Sequence, residues 1–165
     1  MKTNIQKIVT ASMFAALCCV ATMIIKIPSP LKGYLNFGDC IVLLSGWLLS
    51  PAYGFAAAGI GSALADVFSG YIIYAPVTFA VKGAMAIVAH YCFKSMKNKL
   101  GGTPSRIIGG VLAEIVMILG YFVFEGFMYG FAPSALNIPA NGMQGIAGIL
   151  IGLILVKIFE KSKLF

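Results

Sequence analysis

The sequence is 165 residues long, 60% hydrophobic and only 10% charged, with a mean hydropathy of +0.96 and a net charge of +7. A soluble domain carries about a quarter charged residues, so this chain cannot cover a water-facing surface, and its solvent is lipid. Its basic residues lie in short segments between apolar runs, which is the pattern of membrane orientation and leaves no basic-aromatic surface for nucleic acid.

In chain order, Lys2 and Lys7 precede an uncharged run from Ile8 to Ile25. That run is long for a signal core and no small-x-small site follows it, so it is expected to be the first membrane helix. Apolar segments are predicted at Ile5–Ile27, Tyr34–Leu49, Tyr53–Ser69, Pro76–Phe93, Ser105–Gly126 and Asn141–Phe159. At 1.5 Å per residue each can cross a core of ~30 Å, some only barely. Ser50–Gly54 is predicted to turn, because Pro51 removes a backbone donor and Gly54 accepts unusual dihedrals. With six spans, Lys2, Lys7, Lys94, Lys97, Lys99, Arg106, Lys157, Lys161 and Lys163 share one face, against Lys26 and Lys32 on the other. Merging the second and third segments would destroy that positive-inside asymmetry. The expected fold is one all-α membrane domain with six transmembrane helices and both termini cytoplasmic. The outer connections, Pro28–Gly33, Gly70–Ala75 and Phe127–Ala140, are read as loops that either fold over an outward cavity or simply connect.

Ionisable groups are expensive in lipid, and those present therefore mark something. Asp39, Asp66, Lys82, Glu114 and Glu125 stand out. A short hairpin joins Asp66 to Lys82, which permits either a structural ion pair or a cavity-facing ligand contact. Glu114, Tyr121 and Glu125 fall on one helical stripe rising to the outer surface. Glu125 and Tyr121 are the candidate binding groups there, and the alternative is that Glu114 packs protonated and Glu125 is interfacial. Asn141 and Gln144 open the last span, where carboxamides either cap the helix or bind a heterocycle. His90 is expected to be interfacial, and Trp47 and Tyr53 to anchor the inner aromatic belt. Small residues at i, i+4 spacing, Ala57/Gly61/Ala65 and Gly148/Gly152, suit close helix packing. Ala11, Ala15 and Ala16 give span one a flat face that is available to a partner.

Cys18, Cys19, Cys40 and Cys92 lie in or beside apolar stretches without CxxC spacing, and there is one histidine. Neither a metal nor a cofactor is expected. The sequence contains no HExxH, GxSxG or P-loop motif, so enzyme chemistry has little support.

The stretch Leu35-Asn-Phe-Gly-Asp39 and the run Gly54–Lys82, with its ALAD, SGY, YAP, TF and KG strings, resemble the S components of energy-coupling factor (ECF) transporters. The similarity is greatest to the riboflavin and hydroxymethylpyrimidine group, and Gly120–Glu125 and Asn141–Gly148 extend it. The resemblance implies a substrate-binding subunit in a prokaryotic cytoplasmic membrane that works with a membrane coupling subunit and two ATPase subunits. It also implies that Ala11 and Ala15 dock on the coupling subunit, and that Asn36, Lys82, Tyr121, Glu125, Asn141 and Gln144 lie in the ligand-binding region. The expected ligand is a small vitamin or precursor, of hydroxymethylpyrimidine or vitamin B6 type. Riboflavin is the alternative, and a non-transport membrane scaffold is the rival from another class.

Overall fold

The computed structural model describes residues 3–28 and 34–161. Lys2, Lys32, Lys163 and the middle of the Pro28–Gly33 connection lie outside the described residues. Helix α1 (Asn4–Ile24) opens with a capping box: the Thr3 hydroxyl accepts from Gln6 N–H, and the Gln6 side chain accepts from Thr3 N–H. A two-residue antiparallel pair follows, β1 (Ile27–Pro28) against β2 (Tyr34–Leu35). Next come α2 (Gly38–Leu48), α3 (Pro51–Phe68), α4 (Ala75–Leu100) and α5 (Gly102–Tyr129). The short α6 (Phe131–Ser134), a 3-10 turn (Ala135–Asn137) and α7 (Ile138–Lys161) complete the chain.

Three boundaries differ from the sequence expectation. Tyr34 and Leu35 pair in the hairpin, so α2 has only 11 residues. It rises about 16 Å, too little for a hydrocarbon core of ~30 Å. The turn after it is confined to Leu49 and Ser50, because Pro51 occupies the first turn of α3, where its missing N–H would be unpartnered in any case. The Phe127–Ala140 segment is mostly helical and not a loop. Pro133 and Pro139 sit in first turns that tolerate proline, and Gly130, at φ +94°, makes the break between α5 and α6. By length and composition, four helical segments suffice to cross a membrane: Asn4–Ile24, Ala75–Leu100, Gly102–Tyr129 and Phe131–Lys161.

Helix α2 is almost wholly buried, with Val42, Leu43 and Leu44 at its centre. The longer helices surround it and turn Ile, Val and Leu outward, as a lipid-facing shell does. Close approach depends on small residues. A Cβ on Gly61 would lie 2.4 Å from the Ala15 carbonyl oxygen, and one on Gly46 would lie 2.5 Å from that of Ala86. Trp47 is not a belt anchor. It is 5% exposed and packs inside, where Gly110 and Gly152 leave room for its ring. His90 Nδ1 lies 3.0 Å from the Gly46 carbonyl oxygen, which ties α4 to α2. At the end that carries Lys94, Lys97 and Lys99, Arg106 pairs with Glu160 and stacks 4.5 Å from the Phe93 ring centroid.

Candidate functional site

Two polar layers lie inside the bundle, one above the other. The deeper layer centres on Asp39 in the first turn of α2, where Gly38 N–H donates to Asn36 Oδ1 at 2.8 Å and fixes the entry of the chain. Asp39 is fully buried. Its Oδ1 takes the Lys82 ammonium and its Oδ2 accepts from Gln144 Nε2 at 2.6 Å. Lys82 Nζ also lies 3.1 Å from Met117 Sδ and 5.6 Å from the Tyr121 ring centroid. The anticipated Asp66–Lys82 pair is therefore replaced by Asp39–Lys82. Lys82 points from α4 toward α2 and α5, whereas Asp66, at the end of α3, turns toward β2. Below this layer Glu114 is buried, with neither carboxyl oxygen hydrogen-bonded. A Cβ on Gly145 would lie 3.0 Å from it, and one on Gly148 would lie 2.8 Å from Asp39 Cβ, so the small residues of α7 make room for both acids.

The upper layer is a narrow, partly open polar cavity. The hairpin, the turn before α4 and the α6–α7 connection all contribute to it, which places it at one end of the bundle, opposite Lys94–Lys99. Its walls are Tyr34, Asn36, Asp66, Tyr74, Thr78, Tyr121, Glu125, Asn137, Asn141 and Gln144. Tyr34 donates its phenol proton to Asp66 Oδ1 at 2.7 Å, while Asp66 Oδ2 is buried and has no hydrogen-bond partner. Glu125 accepts from Asn137 Nδ2 at 2.8 Å and more weakly from Tyr74 OH at 3.4 Å. Thr78 and Tyr121 share a hydroxyl–hydroxyl bond of 3.1 Å. Burial, with Asp66 as a neighbour, pushes the Tyr34 phenol above its ordinary range, so it remains a donor. Gln144 belongs to both layers: its Oε1 accepts from Asn36 N–H at 2.8 Å, which joins α7 to the hairpin strand.

A protein-family model for the S component of ECF-type riboflavin transporters matches residues 2–161. The chain belongs to that family. An S component of a bacterial ECF transporter of known structure superposes with a TM-score of 0.78 at 25% identity, covering 97% of this chain and 98% of that one. An uncharacterized protein from Pyrococcus woesei is 38% identical over 134 residues, which is 81% of this chain and 87% of that protein. The thiamine precursor transporter HmpT of Lactococcus lactis subsp. cremoris is 22% identical over 165 residues, 96% of this chain and 90% of its own length. As an ECF S component, the chain is a multi-pass membrane protein that binds a vitamin-type substrate and associates with an energy-coupling module; the family is not a catalytic one.

Of the residues nominated from the sequence, the S component gathers Asn36, Tyr121, Glu125, Asn141 and Gln144 around one cavity. Lys82 is held beneath that cavity and is not among its lining residues. Asp66, weighed from the sequence as either an ion-pair partner or a cavity-facing contact, lines it too, and Tyr34, Tyr74, Thr78 and Asn137 do so without having been nominated as binding groups. The only signal for those four was the clustering of tyrosines and polar residues at the ends of the apolar runs. Ala11 and Ala15 line a separate apolar groove between α1 and α3, with Ala16, Tyr53, Ile60 and Leu64. Span one is more committed internally than its sequence suggested, since Phe14, Cys18 and Thr22 are buried and Cys18 Sγ lies 3.2 Å from Ser62 Oγ.

Proposed function

We propose that this S component captures a single-ring vitamin or precursor, of hydroxymethylpyrimidine or vitamin B6 type, in the cavity between the hairpin and α4, α5 and α7. The observation that carries the reading is the cavity itself. Its walls combine three tyrosines with carboxamides and two acids, the mix of aromatic faces and a few placed polar groups that small-ligand pockets use. That combination suits stacking on one flat ring with directed hydrogen bonds at its edge. The thiamine-precursor role carried in the name of the Lactococcus relative supports the same size class. Riboflavin is the second reading, favoured by the family's description, and its three fused rings require a wider slot. Purified protein should carry a single-ring compound detectable by mass spectrometry and should bind hydroxymethylpyrimidine or pyridoxine more tightly than riboflavin in titration. A co-purified flavin would reverse that order.

The cavity faces the outside of a prokaryotic cytoplasmic membrane, the six helical segments α1–α5 and α7 form the bundle, and both termini are cytoplasmic. The grouping of basic residues at the opposite end supports this orientation. A cysteine at Ser95 is expected to resist an impermeant thiol reagent in intact cells lacking the native cysteines, and labelling there would reject the orientation. Uptake requires a membrane coupling subunit and two ATPase subunits, with Ala11 and Ala15 as the docking face. A bulky residue at either position is expected to abolish uptake while the isolated protein still binds ligand. Loss of ligand binding as well would make the face an internal packing surface.

A further inference from the structure

The cavity's two acids differ in how far their hydrogen-bonding capacity is used. The Tyr34 phenol proton goes to Asp66, and the Tyr74 proton and an Asn137 amide proton go to Glu125. Gln144 uses its oxygen on Asn36 N–H and an amide proton on Asp39. Asn36 Oδ1 is occupied by Gly38 N–H. Of the four carboxyl oxygens on Asp66 and Glu125, the open one is Asp66 Oδ2, buried without a hydrogen bond on a residue that is 5% exposed and lines the cavity. No lysine or arginine is among the described lining residues. The nearest cations are engaged elsewhere, Lys82 with Asp39 and Lys26 with Ser69 Oγ at 2.9 Å. A buried carboxylate with a vacant oxygen is costly unless a donor arrives.

We propose that Asp66 is a specificity-determining residue of this cavity, accepting paired N–H donors from a basic single-ring heterocycle that carries an amidine-type edge. Such an edge consists of a protonated ring nitrogen next to an exocyclic amine. It matches a carboxylate as a guanidinium does, with two parallel charge-assisted bonds. The Tyr34 bond to Oδ1 holds the carboxylate in position and leaves lone pairs on both oxygens. The inference rests on the single-ring reading above and narrows it, because a ring edge made of carbonyl acceptors would face Asp66 with like partial charge and lose affinity.

The test uses the full chain in detergent, titrated with 4-amino-5-hydroxymethyl-2-methylpyrimidine, its 4-oxo counterpart, pyridoxine and riboflavin. Wild type should prefer the amino to the oxo compound by about tenfold or more, the discrimination expected when a charged group loses its hydrogen-bond donor. Asp66→Asn keeps an acceptor for Tyr34 and replaces the vacant oxygen with an amide donor, so it should invert the preference toward the oxo compound. A merely structural role would lower both affinities together. Equal wild-type affinities for the amino and oxo compounds, or binding of pyridoxine alone, would overturn the Asp66 proposal and leave the single-ring reading standing. Binding of riboflavin alone, or of none of the four, would overturn both. An amino-over-oxo preference that survives in Asp66→Asn, or in Asp66→Ser where the Asn variant fails to fold, would assign the preference to another group such as Glu125 and overturn the Asp66 proposal.

Discussion

Asp39 and Asp66 sit in the same bundle, both buried, in opposite kinds of company. Asp39 has a partner on each oxygen, an ammonium on one side and a carboxamide on the other. Asp66 has a phenol on one oxygen and nothing on the other. The first arrangement closes on itself and joins α2, α4 and α7; the second opens into a cavity. A polar residue in an apolar bundle is therefore not informative by its presence alone. What separates scaffold from site is whether its hydrogen-bonding capacity is already used. Gln144 spans the two layers, so a change in the cavity roof and a change in the deeper network share one side chain.

The strongest test of this contrast removes one half of the closed layer. Lys82→Met leaves Asp39 as an uncompensated buried charge, and breaking such a pair costs about 3–5 kcal/mol. The thermal midpoint in detergent should fall sharply. In the double variant Lys82→Met with Asp39→Leu no charge is left stranded, and much of that loss should be recovered. A Lys82→Met protein that melts like wild type but no longer binds ligand would move Lys82 into the site and erase the distinction between the layers.

Much of the architecture is legible in the sequence because lipid imposes strong periodic and compositional rules. The long apolar runs become α1, α4, α5 and α7, with most ends within a few residues of where hydropathy puts them, although α4 runs seven residues past its expected end through the lysine-rich stretch. The stripe through Tyr121 and Glu125 also brings those two residues to one cavity, since helical spacing alone fixes a shared face. Pairings between helices distant in sequence were not legible. Asp39 and Lys82 are 43 residues apart, and nothing in either segment states that α2 lies against α4. Proximity along the chain pointed to Asp66 instead. Trp47 misled for a related reason: an aromatic at the end of an apolar run fits a belt, and only the gaps at Gly110 and Gly152 show that it packs inward. Pro133 and Pro139 suggested a loop because proline breaks helix interiors, yet both stand in first turns, where it does not.

The central claim is that ligand binds in the upper, unsaturated layer, and a paired titration tests it most directly. Glu125 and Glu114 lie on the same helix and are both buried, but only Glu125 lines the cavity. Both Glu→Gln changes are nearly isosteric, and thermal melts report whether the bundle survives. A lost hydrogen bond to a charged group costs about 1.5–3 kcal/mol, so Glu125→Gln should weaken binding of the amino-pyrimidine by about ten- to a hundredfold. Glu114→Gln, whose carboxyl makes no hydrogen bond, should bind nearly as wild type. Undiminished binding by Glu125→Gln together with loss of binding by Glu114→Gln would contradict the account and put the ligand in the deeper layer.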